Sequence, residues 1–115
     1  MRKLGEYVNL IKLAKEKGRE VAKELADALK PVIPGIKYSV GWEEGQLDLV
    51  FSESDEDEDK RLKGYKGSKT YLDYILYETI PELIIDNRPY VTTDIWLTPE
   101  EQKKVKEILL KLRGR

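Results

Sequence analysis

The residues whose types could do chemistry begin with an acidic run, Glu53, Asp55, Glu56, Asp57, Glu58 and Asp59. Clustered carboxylates are hard oxygen donors that can attract a divalent cation. A second set follows at once. Lys60, Arg61, Lys63, Lys66 and Lys69 interleave with Tyr65 and the small residues Gly64, Gly67 and Ser68, a composition suited to phosphate contacts with a ring stacked on a base. A third set, Tyr71, Tyr74 and Tyr77, lies at helical spacing and suits a protein interface, where tyrosine buries much area at low entropic cost.

The stretch Gly45 to Val50, with Glu58-Asp59-Lys60 after it, is similar to the Asp…Glu-x-Lys pattern of the PD-(D/E)xK nuclease family. The resemblance implies metal-dependent cleavage of nucleic acid, with Asp48 and Glu58 at the metal, Lys60 at the water, and a further acid on a preceding helix at Glu16, Glu20 or Glu24. In that family the Glu-x-Lys lies on an apolar strand, whereas here its neighbours are Asp55, Glu56, Asp57 and Arg61. The acidic run Ser52 to Asp59 lacks the central glycine of an EF-hand loop, and Gly64 to Lys69 lacks the spacing of a Walker loop.

Composition narrows the field further. The chain has no cysteine and no histidine, which excludes disulfides, Cys/His zinc sites, thiol nucleophiles and histidine bases. Charged residues make up 37% of the chain, against about 25% in ordinary globular proteins, yet the net charge is only -1. The imbalance is local: residues 41–60 carry one Lys/Arg against nine Asp/Glu. A globally basic nucleic-acid binder is therefore not indicated. Asn, Gln and Met are scarce while Lys and Glu abound, a profile of proteins that work hot, where ion-pair networks gain. No apolar run has the length of a membrane span, so the expected setting is cytoplasmic.

The elements that must hold these residues follow from periodicity. Leu4, Tyr7, Val8, Ile11, Ala14, Val21, Ala22, Leu25, Ala26 and Leu29 predict an amphipathic helix over 3–30, weakened at Gly18 and ended by Pro31. The period then drops to two: Ile36, Tyr38, Val40 and Trp42, then Leu47, Leu49 and Phe51, predict a β-hairpin. Residues 52–69 show no apolar period and read as a long charged loop. From Ser68 a helical stripe of Leu72, Ile75, Leu76, Thr79, Ile80, Leu83 and Ile84 returns, kinked or restarted at Pro81. A third strand is expected over Tyr90 to Leu97. Thr98, Pro99 and Glu101 then open the last helix as a capping box.

The expected fold is α+β: one domain over 1–115, in the order α-β-β-α-β-α, with a three-stranded, mainly antiparallel sheet covered by helices. The expected function is a small non-enzymatic interaction or regulatory protein, a homodimer built through the Tyr-bearing helix, from a thermophilic source, archaeal or viral. It calls for no cofactor, no metal and no membrane. A nucleic-acid binder using Lys60, Arg61, Lys63, Tyr65, Lys66 and Lys69 is the alternative. A nuclease using Asp48, Glu58 and Lys60 is the second alternative.

Overall fold

The computed structural model describes residues 14–43, 46–81 and 90–113. Its elements are α1 (Ala14–Leu29), β1 (Lys37–Glu43), β2 (Gln46–Ser52), α2 (Asp55–Leu62), β3 (Thr70–Tyr71), α3 (Leu72–Thr79), β4 (Tyr90–Thr93), β5 (Trp96–Leu97) and α4 (Pro99–Arg113). The class is α+β, as the periodicities predict. The main sheet has the order β1-β2-β4 and is mixed: β1 and β2 are antiparallel, while β4 joins β2 in parallel. A separate two-stranded sheet pairs β3 with β5.

One core joins these layers. Val21, Ala22, Leu25, Ala26 and Leu29 form the buried stripe of α1, and Leu47, Leu49 and Phe51 are the inward alternates of β2. Burying a valine, leucine or phenylalanine of this set stabilises by about 1.5–3 kcal/mol. Gly18, the apparent weak point of the helix, lies where a Cβ would stand 2.5 Å from Leu47 Cδ2 and 3.3 Å from Val40 Cγ1. Its lack of a side chain lets α1 approach the hairpin. The other face of the sheet carries Ser39 and Thr92, both exposed, and Asp48, which is buried beside Thr92. The expected first turns of α1, with Leu4, Tyr7, Val8 and Ile11, lie outside the described residues.

Three expectations are corrected. Residues 52–69, expected as a charged loop, contain α2, an eight-residue helix with no buried apolar residue. Its signal is electrostatic: Asp55, Glu56, Asp57 and Glu58 fill the first turn, and Lys60 and Arg61 the last, so each charge block opposes the helix dipole end it sits on. Ser54 caps it, its hydroxyl accepting from the Asp57 N–H at 3.1 Å and donating to the Asp57 carboxylate at 2.9 Å. Like-charge repulsion suggested a loop, but end placement turns the same charges into helix stabilisers.

The second correction concerns the Tyr helix, which begins at Leu72 and not at Ser68. Tyr71 belongs to β3, because its backbone pairs with Trp96. The helix stops at Thr79, before Pro81, which has no N–H to continue it. Leu83 and Ile84 lie outside the described residues. The third correction is the strand expected over Tyr90 to Leu97, which is two strands in two sheets. Thr93 Oγ1 accepts the Ile95 N–H at 3.1 Å, a local side-chain turn that competes with the ladder and redirects the chain.

Candidate interaction surface

The basic strip is divided by burial. Arg61 turns inward from α2 with its side chain 6% exposed, and its guanidinium meets three partners. Nε donates to Glu53 Oε2 at 3.2 Å and Nη2 to Glu53 Oε1; Nη1 donates to the Glu101 carboxylate at 2.7 Å; Nη2 also donates to the Trp96 carbonyl at 2.7 Å. Burial lowers the guanidinium pKa, but the hydrogen bonds and charges of Glu53 and Glu101 outweigh it and hold it above its ordinary value. Arg61 thus fastens the end of β2, β5 and the start of α4 to one another. Its guanidinium nitrogens are engaged within the chain.

The remaining cations of the strip stay outside. Lys60 pairs with Glu56 at 3.1 Å across one exposed turn, a contact that contributes about 0–1 kcal/mol. Lys63 caps α2 in the left-handed region, and Gly64 follows at φ 74°, so the chain reverses there. Lys69 Nζ lies 3.4 Å from the Tyr65 carbonyl, and the Tyr65 ring covers Gly67 so closely that a Cβ there would collide with it. The cleft of about 610 Å³ beside this turn mixes signs, with Lys63 and Lys104 facing Glu100 and Glu101. It concentrates no single charge.

Asp48 sits in mid β2, 8% exposed, accepting from Thr92 Oγ1 at 2.7 Å. Glu58 and Lys60 belong to α2, Glu58 half-buried and Lys60 exposed and paired with Glu56. Among the described residues no group of three or more acidic side chains is disposed to hold a metal.

The three tyrosines divide as well. Tyr71 stacks on Trp96 with ring centroids 3.7 Å apart and planes 23° from parallel. Tyr77 reaches from α3 to β4, where its hydroxyl donates to the Val91 carbonyl at 2.8 Å and accepts from the Val91 N–H at 3.1 Å. Desolvation raises the Tyr77 pKa above its ordinary value. Tyr74 is 62% exposed. Tyr71 and Tyr77 therefore act inside the chain, and Tyr74 alone of the three stands clear.

The Tyr77 contact also fixes the phase of the sheet. In a strand the N–H and C=O of one residue point to the same side, and successive residues alternate. Since Val91 directs both groups to Tyr77, its parallel partner Leu49 faces β4, and Asp48 and Val50 face β1. Through the register Gly41↔Asp48 and Ser39↔Val50, Gly41 and Ser39 bond to β2, and Tyr38, Val40 and Trp42 direct their backbone groups away from it. One margin of the sheet is closed by a tyrosine hydroxyl. At the other, among the described residues, no partner is recorded for the outward groups of those three residues.

Trp42 stands on this open margin, 62% exposed although it shares a face with Tyr38 and Val40, which pack against the core. Sequence reasoning had the alternation of β1 but not its place at the rim, because strand order is not written in a single strand. No described helix is long and apolar enough to cross a membrane. No family model, no curated protein and no solved structure matches this chain.

Proposed function

We propose that this chain is a non-enzymatic interaction protein that binds an extended strand along the open margin of β1. The observation that supports this reading is the asymmetry of the sheet: Tyr77 closes the β4 margin, whereas the outward N–H and C=O groups of Tyr38, Val40 and Trp42 lie beside an exposed indole. An unpaired edge is a template for strand addition, and natural proteins usually cover or charge it. Here the strand is seven residues long. Backbone pairing supplies affinity and the alternate side chains supply selectivity.

Hydrogen exchange tests the reading. The amides of Tyr38, Val40 and Trp42 are expected to exchange quickly in dilute protein and to become protected in concentrated protein or with an eight-residue peptide of alternating Thr and Val. Amides equally slow at every dilution, in a monomeric chain, mean that the chain covers its own edge, and the reading fails. Amides that stay fast under all these conditions overturn it too.

A further inference from the structure

We infer that the occupant of the β1 margin is a second copy of β1, antiparallel to the first about a two-fold axis at Val40. The inference rests on the reading of β1 as a binding edge and names its partner. A strand that pairs with itself about a two-fold must be self-complementary position by position, since the contact is isologous. β1 reads Lys37-Tyr38-Ser39-Val40-Gly41-Trp42-Glu43. With Val40 opposite itself, Lys37 faces Glu43 of the second copy, Tyr38 faces Trp42, and Ser39 faces Gly41. The charged ends are opposite in sign, the aromatic pair is of the kind that stabilises sheets, and the small residues coincide.

The hydrogen-bonding phase agrees with that register. Tyr38, Val40 and Trp42 present the outward backbone groups, and the two-fold at Val40 makes 38↔42, 40↔40 and 42↔38 the bonded pairs. A register shifted by one residue along either strand would set outward groups against inward ones.

The side chains provide a third line of support. Tyr38 borders a cleft of about 370 Å³ whose walls include Ala26, Asp27, Lys30 and Ile36. Facing residues of an antiparallel pair project to the same side of the sheet, so Trp42 of the second copy is brought over this cleft. By symmetry the indole of the first copy covers the equivalent cleft of the second. This gives a reason for a tryptophan to stand exposed on the packed face of a sheet. The two sheets of three strands join into one of six, and both β1 margins disappear.

Light scattering on the eluting chain and paired charge reversals test this assignment. The wild-type chain, of 13.4 kDa, is expected to run at twice that mass at high concentration. K37E and E43K each place like charges opposite one another twice per dimer and are each expected to weaken association by about tenfold. Mixed together, K37E and E43K chains restore both pairs, so a heterodimer of wild-type affinity is expected. W42S is expected to weaken association without altering the unfolding midpoint of the monomer. A chain monomeric at all concentrations overturns the inference, and if the Thr/Val peptide still protects the three amides, the edge reading stands without it. A dimer indifferent to both charge reversals, or one that leaves the amides of 38, 40 and 42 unprotected, overturns it as well.

Discussion

Arg61 and Glu53, eight residues apart in sequence, meet as a two-pronged ion pair in which neither side chain is more than 6% exposed. The pair is closed by Glu101 from α4 and by the Trp96 carbonyl, so one guanidinium joins four segments of the chain. Paired charges out of water are held by geometry, and removing one partner leaves the other buried and uncompensated. Arg61→Leu is therefore expected to lose about 3–5 kcal/mol of unfolding free energy, read from urea denaturation. Arg61→Lys should recover only part of it, because an ammonium cannot reproduce the fork. A loss below 1 kcal/mol would show that the cluster is dispensable.

Tyr77→Phe is expected to destabilise the chain by about 1–3 kcal/mol, since both backbone groups of Val91 lose their partner while the ring stays in place. Local hydrogen exchange at Val91 should accelerate more than exchange at Leu49. An unchanged Val91 rate would exclude the closing role of the hydroxyl.

The same hydroxyl gives a pH dependence at the alkaline end. Desolvation raises its folded-state pKa, so protonated Tyr77 contributes stability that is fully present below about pH 10. That contribution is lost as pH rises through the higher folded-state value. Phenolate absorbance should show a late-ionising step that vanishes in Tyr77→Phe.

Gly35 lies where a Cβ would strike the Asp57 carboxylate. Gly35→Ala is expected to cost about 1–3 kcal/mol, because Asp57 must leave its place beside Ser54 or α2 must shift. The double variant Gly35→Ala, Asp57→Ala should be less destabilised than the sum of the single changes. Simple additivity in the urea midpoints would mean that the two residues do not press on one another.

Glu101 serves two structures at once. Its carboxylate accepts the Thr98 N–H at 3.0 Å while its own N–H reaches Thr98 Oγ1 at 3.2 Å, and the same carboxylate accepts from Arg61. Thr98→Ala should cost about 1 kcal/mol, the usual effect of a lost cap. Glu101→Gln should cost more, since it also takes a charge from the buried cluster. Thermal unfolding of the two variants gives the order, and equal shifts would separate the cap from the cluster.

Much of the fold is legible where burial is periodic. The stripe of α1, the alternation of the hairpin and the capping box of α4 can each be read directly, because every one is a local pattern tied to one face. The helix α2 is not legible this way. It buries no apolar residue, and its stability comes from end charges, the Ser54 cap and one distant ion pair. Of the candidate site residues, Arg61 was indistinguishable from Lys60 and Lys63 in sequence. Its burial depends on Glu101, forty positions away.

By itself the sequence determined which segments are amphipathic, where the last helix begins, that no Cys or His chemistry is available, and that charge is segregated. Those properties are carried by neighbours along the chain. Only the tertiary structure decided that β4 joins β2 in parallel, that Tyr77 closes that margin, and that β1 is left at the other. Strand order and edge exposure are set by contacts between residues far apart in sequence. A period-two pattern fixes the face a side chain takes, and leaves open which strand, if any, stands beside it.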